Sequence, residues 1–229
     1  MSAMIARHWE IMPPSSAPRL AFWYEFASTY SYLAAMTIER LAQGAGVALE
    51  WRPFLLGPIF AEQGWRDSPF NLYPAKGRYM WRDLERLCAR EGLGWKRPSQ
   101  FPRSSLLAAR TTLVGLSEGW GVPFSKAVFR ANFAEDRDIA SPAVLQSILR
   151  SLDVDAERAL ARAGSPEIKE ALRSQTEEAQ GRGVFGAPSF EVGEEIFWGQ
   201  DRLLEALEWA KRPRLGDSGR DSSLGVPSP

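Results

Sequence analysis

The length, composition and charge of this chain exclude several classes of protein. It has 229 residues, 45% of them hydrophobic and 24% charged, which is typical of a globular protein large enough to bury its own core. Lysine plus arginine and aspartate plus glutamate both total 28, and this balance argues against nucleic acid or an anionic membrane surface as the main partner. One cysteine and one histidine exclude an intrachain disulfide and cannot form a zinc site of the usual kind.

Neither end of the chain is predicted to join the folded core. Residues 1–18 contain the segment PPSSAP and no periodic pattern, so we interpret them as a loose N-terminal arm. Residues 213–229 are rich in Gly, Ser, Pro and Asp and predict a disordered C-terminal tail. The arm has no signal-peptide core, and no stretch approaches the ~18 apolar residues of a membrane span, so we expect a cytoplasmic protein.

The folded part is predicted to begin with a strand, a helix and a second strand. Residues 19–26 form an apolar and aromatic run that is typical of a buried strand. Residues 32–43 carry apolar side chains at helical spacing, and Gly44 and Gly46 end that helix. Residues 47–54 predict the second strand. Strand, helix and strand within ~35 residues predict a right-handed βαβ unit with parallel strands.

The remainder of the folded part predicts helices and then a hairpin. Residues 57–74 are rich in Gly, Pro and aromatic residues and favour a shaped loop over a regular element. Helical periodicity then dominates to about residue 180. Two short strands around a turn at Gly193, and a closing helix over residues 200–211, complete the order.

This order predicts the α/β fold class, as a thioredoxin-like βαβ…ββα fold with a large all-helical domain inserted. In that plan, two antiparallel strands and a helix complete the sheet that the βαβ unit begins. The thioredoxin-like domain would comprise residues 19–56 and 181–212, and the inserted helical domain would comprise residues 57–180.

The turn between the first strand and the first helix carries the first candidate for chemistry. Ser28 and Ser31 stand there in a Ser-x-x-Ser pattern, where thioredoxin-like oxidoreductases carry Cys-x-x-Cys. A helix N-terminus presents unpaired N–H groups and partial positive charge, which favour a sulfur anion. A serine hydroxyl cannot form a disulfide, but it can donate a hydrogen bond to a thiolate on a ligand. The alternative is that Ser28 is only a helix N-cap.

Two further candidates lie towards the end of the folded part. The Ala187–Pro188 bond precedes a strand, at the place where a thioredoxin fold carries its cis-proline. There the N–H and C=O of Ala187 would face an extended peptide ligand; the alternative is a trans loop proline. Asp201 opens the last helix, where its carboxylate would pair with a ligand ammonium group or only complement the helix dipole.

Five motifs follow one another along residues 19–211. They are FWYEFASTYSYLA at 22–34, WRPFLLG at 51–57, PAKGRYM at 74–80 followed by Asp83-Leu84, GVFGAPSF at 183–190 and FWGQDRL at 197–203. Together they resemble the 2-hydroxychromene-2-carboxylate isomerase family, which has a DsbA-like thioredoxin fold and is related to the kappa-class glutathione transferases. Five motifs in order are more specific than one alone. The chain departs from the family at Thr29, where proline is usual, and in a longer loop at residues 64–74.

The resemblance implies a glutathione site and a reaction. Ser28 corresponds to the serine that hydrogen-bonds the glutathione sulfur and is the implied catalytic residue. The other implied glutathione-binding residues are Trp65, Lys76, Ala187, cis-Pro188, Gln200 and Asp201. With glutathione as cofactor, a thiolate would add to a carbon–carbon double bond, so that 2-hydroxychromene-2-carboxylate isomerises to trans-o-hydroxybenzylidenepyruvate. The implied partners are glutathione and a small substrate from aromatic catabolism, and the chain would form a homodimer.

Alternative functions and roles stay open. The same site would serve a kappa-like glutathione transferase or peroxidase, and a non-catalytic module that binds thiol peptides would use the same scaffold. Dithiol–disulfide exchange is disfavoured because both positions of the turn are serine. His8 lies in the arm, Cys88 is predicted to be a core residue, and Trp65 and Trp81 are candidates to line an aromatic substrate pocket.

Overall fold

A βαβ unit opens the part of the chain that this computed structural model describes, residues 17–212. Strand β1 (Arg19–Tyr24) and strand β2 (Ala48–Pro53) are parallel, and helix α1 (Thr29–Ala45) connects them. The helix begins three residues earlier than its apolar pattern predicts, because Ser28 caps it and the first turn is polar. Gly46, in the left-handed region at φ 68°, ends it as predicted.

A hairpin near the end of the described residues completes the sheet. Strand β3 (Ser189–Val192) is antiparallel to β1, and strand β4 (Glu195–Trp198) is antiparallel to β3. The sheet order is β2-β1-β3-β4, so the thioredoxin-like βαβ…ββα plan is confirmed. The predicted tail lies outside the described residues, as does all but the end of the predicted arm.

The other helices of the described residues lie mainly between β2 and β3. They are α2 (Leu56–Glu62), α3 (Pro69–Leu72), α4 (Pro74–Glu91), α5 (Leu106–Glu118), α6 (Gly121–Phe133), α7 (Pro142–Ser151), α8 (Ala156–Ala163), α9 (Pro166–Gly181) and α10 (Leu203–Ala210). None of the helices within residues 17–212 has both the length and the apolar character needed to cross a membrane.

One expectation about local structure is wrong. The segment 57–74 is not one loop, because α2 and the single turn of α3 occupy much of it; Ser68 caps α3 by accepting a hydrogen bond from the Phe70 N–H. Helices as short as α2 and α3 are too brief to show a periodic apolar pattern. The closing helix is present where it is predicted, and its first turn, over Gln200–Arg202, is a 3₁₀ turn.

Strand β1 is buried on both faces. Leu20, Phe22 and Tyr24 belong to the main hydrophobic cluster, together with α1, α10 and much of the helical block. Trp23 points to the opposite face and packs with Phe54 in a second cluster. This alternation follows from the period of two in a strand, and coverage of both faces explains why the run is continuously apolar.

Single side chains show where helical periodicity predicts burial well and where it does not. Cys88 on α4 is fully buried in the main cluster, as its helix face predicts. In the closing helix, the apolar residues Leu203, Leu204 and Leu207 are all predicted to face inwards, but only Leu203 and Leu207 are buried, whereas Leu204 is 62% exposed. Positions 203 and 207 share a face at a spacing of four residues, and position 204 turns away from that face towards solvent.

Candidate active site

Ser28 lies in the turn that connects β1 to α1. Its backbone is extended (φ −81°, ψ 118°), and its Oγ accepts a hydrogen bond from the Ser31 N–H at 3.2 Å, so it is the N-cap of α1. Its hydroxyl also donates to the backbone oxygen of Ala187 at 2.8 Å. Capping and a role at a ligand site are therefore compatible, because the cap uses the oxygen while the hydroxyl hydrogen points away from the helix.

The first turn of α1 leaves backbone donors unpaired beside Ser28. The N–H groups of Ser31 and Tyr32 donate to the side chain and the carbonyl of Ser28. Within residues 17–212, the N–H groups of Thr29 and Tyr30 have no acceptor. No acidic side chain lies in this turn, so no carboxylate of α1 itself neutralises the partial positive charge of the helix end.

The segment opposite Ser28 is fixed by backbone contacts. The Ala187–Pro188 peptide bond is cis, as the resemblance implies. The Pro188 carbonyl accepts a hydrogen bond from the Gly199 N–H at 2.9 Å, and the Ser189 hydroxyl donates to the Gly186 carbonyl at 2.9 Å. Ala187 is half-buried, and its carbonyl meets the Ser28 hydroxyl at the mouth of a cavity.

This cavity has a volume of about 1650 Å³, which exceeds the 300–1,000 Å³ typical of small-molecule pockets and leaves room for more than one ligand. Its walls include every site residue that the resemblance implies: Ser28, Trp65, Lys76, Ala187, Pro188, Gln200 and Asp201. The fold thus gathers residues from distant parts of the chain around one space. Their individual roles stay predictions.

The charged and aromatic residues among these implied site residues lie at the rim of the cavity. Lys76, in the first turn of α4, places Nζ 4.8 Å from the ring centroid of Tyr73 and is exposed. The Asp201 carboxylate is 75% exposed and lies 3.8 Å from Nε of Arg202. No backbone N–H of the described residues donates to Asp201, so Asp201 does not cap the helix through a hydrogen bond. Trp65 is half-buried.

Trp81 does not line this cavity, so the expectation that it would is wrong. It borders a separate surface depression of about 440 Å³ with Arg78 and packs edge-on against Phe101 at 4.8 Å. Aromatic side chains that do face the main cavity include Tyr30 and Phe70, whose ring centroids lie 6.3 Å apart. Helical spacing predicts only that residues share a face, whereas the neighbours of that face are set by packing.

Glu25 is a site candidate that reasoning from the sequence missed. It is 6% exposed, lines the cavity, and accepts a hydrogen bond from the Ala27 N–H at 3.2 Å. Burial raises its pKa to about 7, although hydrogen bonds from Ser105 and the backbone of Ala27 lower it. A carboxyl with such a pKa beside a ligand cavity is a functional candidate. The signal in the sequence is one charge within an aromatic run.

Asn132 holds the backbone that leads into Ser28. This side chain is 1% exposed, and its Nδ2 donates to the Phe26 carbonyl at 3.0 Å. Its Oδ1 accepts from Nη1 of Arg103 at 3.0 Å, and Arg103 in turn pairs with Asp136. The sequence gives no sign of this contact, because Asn132 lies 106 residues from Phe26.

Two described residues that the sequence singled out, Cys88 and Ser31, do not line the cavity. His8 lies outside the described residues. Cys88 is buried, and burial raises the pKa of its thiol to about 11. Ser31 is fully buried and is not part of the cavity wall. Within residues 17–212, no three or more His, Cys, Asp or Glu side chains are grouped so that they could hold a metal ion.

The chain is similar to known proteins over most of its length. The family described as DSBA-like thioredoxin domain matches residues 19–208. A 2-hydroxychromene-2-carboxylate isomerase of Sphingobium xenophagum is 29% identical over 183 residues, which cover 80% of this chain and 92% of that protein. Glutathione s-transferase kappa 2 of Caenorhabditis elegans is 24% identical over 213 residues, 85% of this chain and 92% of that protein. A solved 2-hydroxychromene-2-carboxylate isomerase structure has a TM-score of 0.74 and 26% identity, covering 84% of this chain and 93% of that one.

Proposed function

This chain belongs to the DSBA-like thioredoxin domain family, and from that premise we propose that it binds glutathione at the Ser28 turn and is a glutathione-dependent isomerase. The proposed substrate is 2-hydroxychromene-2-carboxylate, and the proposed product is trans-o-hydroxybenzylidenepyruvate. The observation that carries the proposal is the Ser28 hydroxyl, which lies beside unpaired N–H groups and 2.8 Å from the Ala187 carbonyl in the wall of one large cavity. The names of the similar proteins support the same class of reaction.

The residues around the cavity fit the chemistry of glutathione. The hydroxyl of Ser28 and the start of α1 offer donors and partial positive charge to an anionic sulfur. The carbonyl of Ala187 is an acceptor for a peptide N–H. The carboxylate of Asp201 suits the ammonium of the γ-glutamyl end, and Gln200 beside it offers a neutral amide. Lys76 suits a carboxylate.

Binding would exchange hydrogen bonds at Ser28. Its single hydroxyl hydrogen is donated to the Ala187 carbonyl, so Ser28 must release that carbonyl before it can donate to a sulfur. A peptide N–H of the ligand would then replace it on Ala187, so that this half-buried carbonyl does not stay unpaired. The new bond from Ser28 to a charged sulfur is stronger than the neutral bond that it replaces.

The chain's own residues would position and protect the reaction. When bound, glutathione would supply a thiolate whose reversible addition to a carbon–carbon double bond lets that bond rotate. Ser28 and the first turn of α1 would hold the sulfur in its ionised state. Tyr30 and Phe70 would form an aromatic wall for the second substrate; the Tyr30 hydroxyl donates to Asp83 at 3.0 Å, which fixes that ring.

A glutathione transferase is the second candidate, because a kappa-class relative covers 85% of this chain. A fold shared by isomerases and transferases does not decide between them. Reduced glutathione would occupy the same site in both cases, so only the second substrate distinguishes the two functions. The homodimer, the cytoplasmic location and a role in aromatic catabolism stay predictions.

Calorimetry with millimolar reduced glutathione is the first test. We expect saturable heat and a higher melting temperature, since a ligand that binds only the folded state stabilises it. Isomerisation of 2-hydroxychromene-2-carboxylate should then be measured beside conjugation of a chloro-nitrobenzene. The absence of both heat and a thermal shift would refute the proposal. Conjugation alone would favour the transferase, and binding without turnover would favour a non-catalytic module.

Asp201→Asn and Glu205→Gln form a matched pair for the γ-glutamyl end. Asp201 lines the cavity, whereas Glu205 lies one turn further on, does not line it, and also pairs with Arg202, at 3.3 Å. We expect Asp201→Asn to weaken glutathione binding about fivefold, as the loss of one largely exposed ion pair of about 1 kcal/mol implies. Equal dissociation constants for the two variants would remove Asp201 from the site.

A further inference from the structure

Thr29 is the first residue of α1 and has two hydrogen-bond donors without a partner. It is 1% exposed and belongs to the cavity wall next to Ser28. Among the described residues, nothing accepts its backbone N–H. Its hydroxyl oxygen is also buried and unpaired. Both donors of one residue therefore remain free at the start of a helix, beside the hydroxyl to which the sulfur site is assigned.

Two unpaired donors on a buried residue are unfavourable in free energy unless another molecule accepts hydrogen bonds from them. A buried hydroxyl without a partner costs about 1–3 kcal/mol, and folded proteins leave few of them. An unpaired N–H in the first turn carries the positive end of the helix dipole and attracts an anion. Ser31 also has an unpaired buried hydroxyl, but its N–H is bonded to Ser28 and it is not in the cavity wall, so the inference is limited to Thr29.

We propose that Thr29 is a second sulfur-binding residue, which donates both its N–H and its hydroxyl to the glutathione thiolate beside Ser28. This rests on the proposed function and specifies how the site ionises its ligand. The thiol gives its proton to the buffer, and no other bond forms or breaks. Donors that bond the anion more strongly than the thiol lower the thiol pKa. The proline that is usual at this position in the related family has neither donor.

Three substitutions separate the two donors. Thr29→Ser keeps both, Thr29→Val keeps the shape and the N–H but removes the hydroxyl, and Thr29→Pro removes both. Proline suits the first position of a helix, where its fixed φ is already helical. The extended backbone of Ser28, at φ −81° and ψ 118°, is the conformation that a following proline requires. All three variants should therefore fold, and circular dichroism checks this.

The experiment titrates the thiol of bound glutathione by the ultraviolet absorbance of its thiolate. The pKa of Cys88, about 11, lies far from the expected range, so the protein's own thiol does not interfere. At fixed pH below the thiol pKa, we expect the serine variant to match the wild type. The ratio of thiolate to thiol should fall roughly threefold in the valine variant and roughly tenfold in the proline variant.

Each step of the series tests one donor. A valine variant that ionises bound glutathione like the wild type overturns the assignment of the hydroxyl. A proline variant that matches the valine variant overturns the assignment of the N–H, and a proline variant that matches the wild type overturns the whole inference. Calorimetry shows separately whether the wild type binds glutathione, and failure to bind refutes the proposed function itself.

Discussion

The Ser28 side chain combines two roles at the scale of a single residue. Its oxygen caps α1 and its hydroxyl hydrogen reaches the Ala187 carbonyl. A serine that only caps a helix is present elsewhere in the chain: Ser165 accepts a hydrogen bond from the Ile168 N–H at 3.3 Å at the start of α9. Because the two caps have similar geometry, they allow stability and ligand chemistry to be separated.

Ser28→Ala should lose most of the proposed isomerase activity, whereas Ser165→Ala should keep it. Each loses a cap, at a cost of about 1 kcal/mol in the free energy of unfolding. Only Ser28→Ala removes the hydroxyl that is proposed to donate a hydrogen bond to the glutathione sulfur. Its loss should raise the thiol pKa of bound glutathione, so the acidic limb of the pH–rate profile should move to higher pH. Equal rates and unmoved limbs would leave Ser28 as a cap alone.

Glu25 is the residue whose environment departs most from that of a surface carboxyl. Its pKa is raised from an ordinary 4.5 to about 7 because the side chain is buried. Between those two pH values, the folded state holds a proton that the unfolded state has released. Stability therefore falls as pH rises through this interval, and above about pH 7 the burial of a charge costs on the order of 3 kcal/mol.

Glu25→Gln should remove this dependence on pH. Glutamine keeps an acceptor for the Ala27 N–H and has no charge to bury. We expect the variant to be more stable than the wild type at about pH 8 and to lose that advantage at about pH 5. The free energy of unfolding in urea at both pH values measures the effect. A constant difference between the two proteins would show that Glu25 does not titrate in this range.

Helices α3 and α4 pack closely at the scale of secondary-structure elements. Gly77 in α4 is buried, and a Cβ built there would lie 2.2 Å from the carbonyl oxygen of Phe70. Phe70 belongs to α3 and to the cavity wall. The absence of a side chain at position 77 therefore lets α3 form one side of the cavity.

Gly77→Ala should destabilise the protein by about 1–3 kcal/mol, because the new methyl group must displace the backbone of α3. Since Phe70 would move with that backbone, affinity for the proposed aromatic substrate should also fall. Gly44→Ala is the control: this glycine lies in α1, is exposed, and a Cβ there meets nothing within 4 Å. We expect it to stabilise α1 by about 0.5–1 kcal/mol. Chemical unfolding and substrate titration compare the two variants.

The sheet and the helical block share one core at the scale of the whole molecule. The Phe129 ring of α6 lies 4.9 Å from the Phe26 ring and 5.8 Å from the Tyr24 ring of β1. Both regions contribute to the same main hydrophobic cluster. The predicted inserted domain, residues 57–180, is therefore continuous in packing with the thioredoxin-like unit.

We expect a single unfolding transition for this reason. Urea unfolding followed by tryptophan fluorescence and by far-ultraviolet circular dichroism should give coincident curves, because the two regions share one hydrophobic core. The many tryptophans report on both the sheet and the helical block. Two resolved transitions would show that residues 57–180 are an independently stable domain.

Local patterns account for what could be predicted from the sequence. The period of two in β1, the helical spacing of α1, the cap at Ser28 and the turn at Gly193 each depend on residues close together in the chain. The order of these elements was enough to predict the thioredoxin-like plan. The resemblance of five motifs then named residues that the structure gathers around one cavity.

Contacts between distant residues decided the rest. The sequence by itself determined the strands of the sheet, the helix between β1 and β2, the order of these elements and the serine at the start of α1. Only the tertiary structure could pair Ser28 with Ala187, 159 residues away, bury Glu25 so that its pKa rises, and turn Trp81 away from the cavity. The physical reason is that burial, dielectric environment and cavity shape are properties of what packs around a residue, and that packing is not encoded in its near neighbours along the chain.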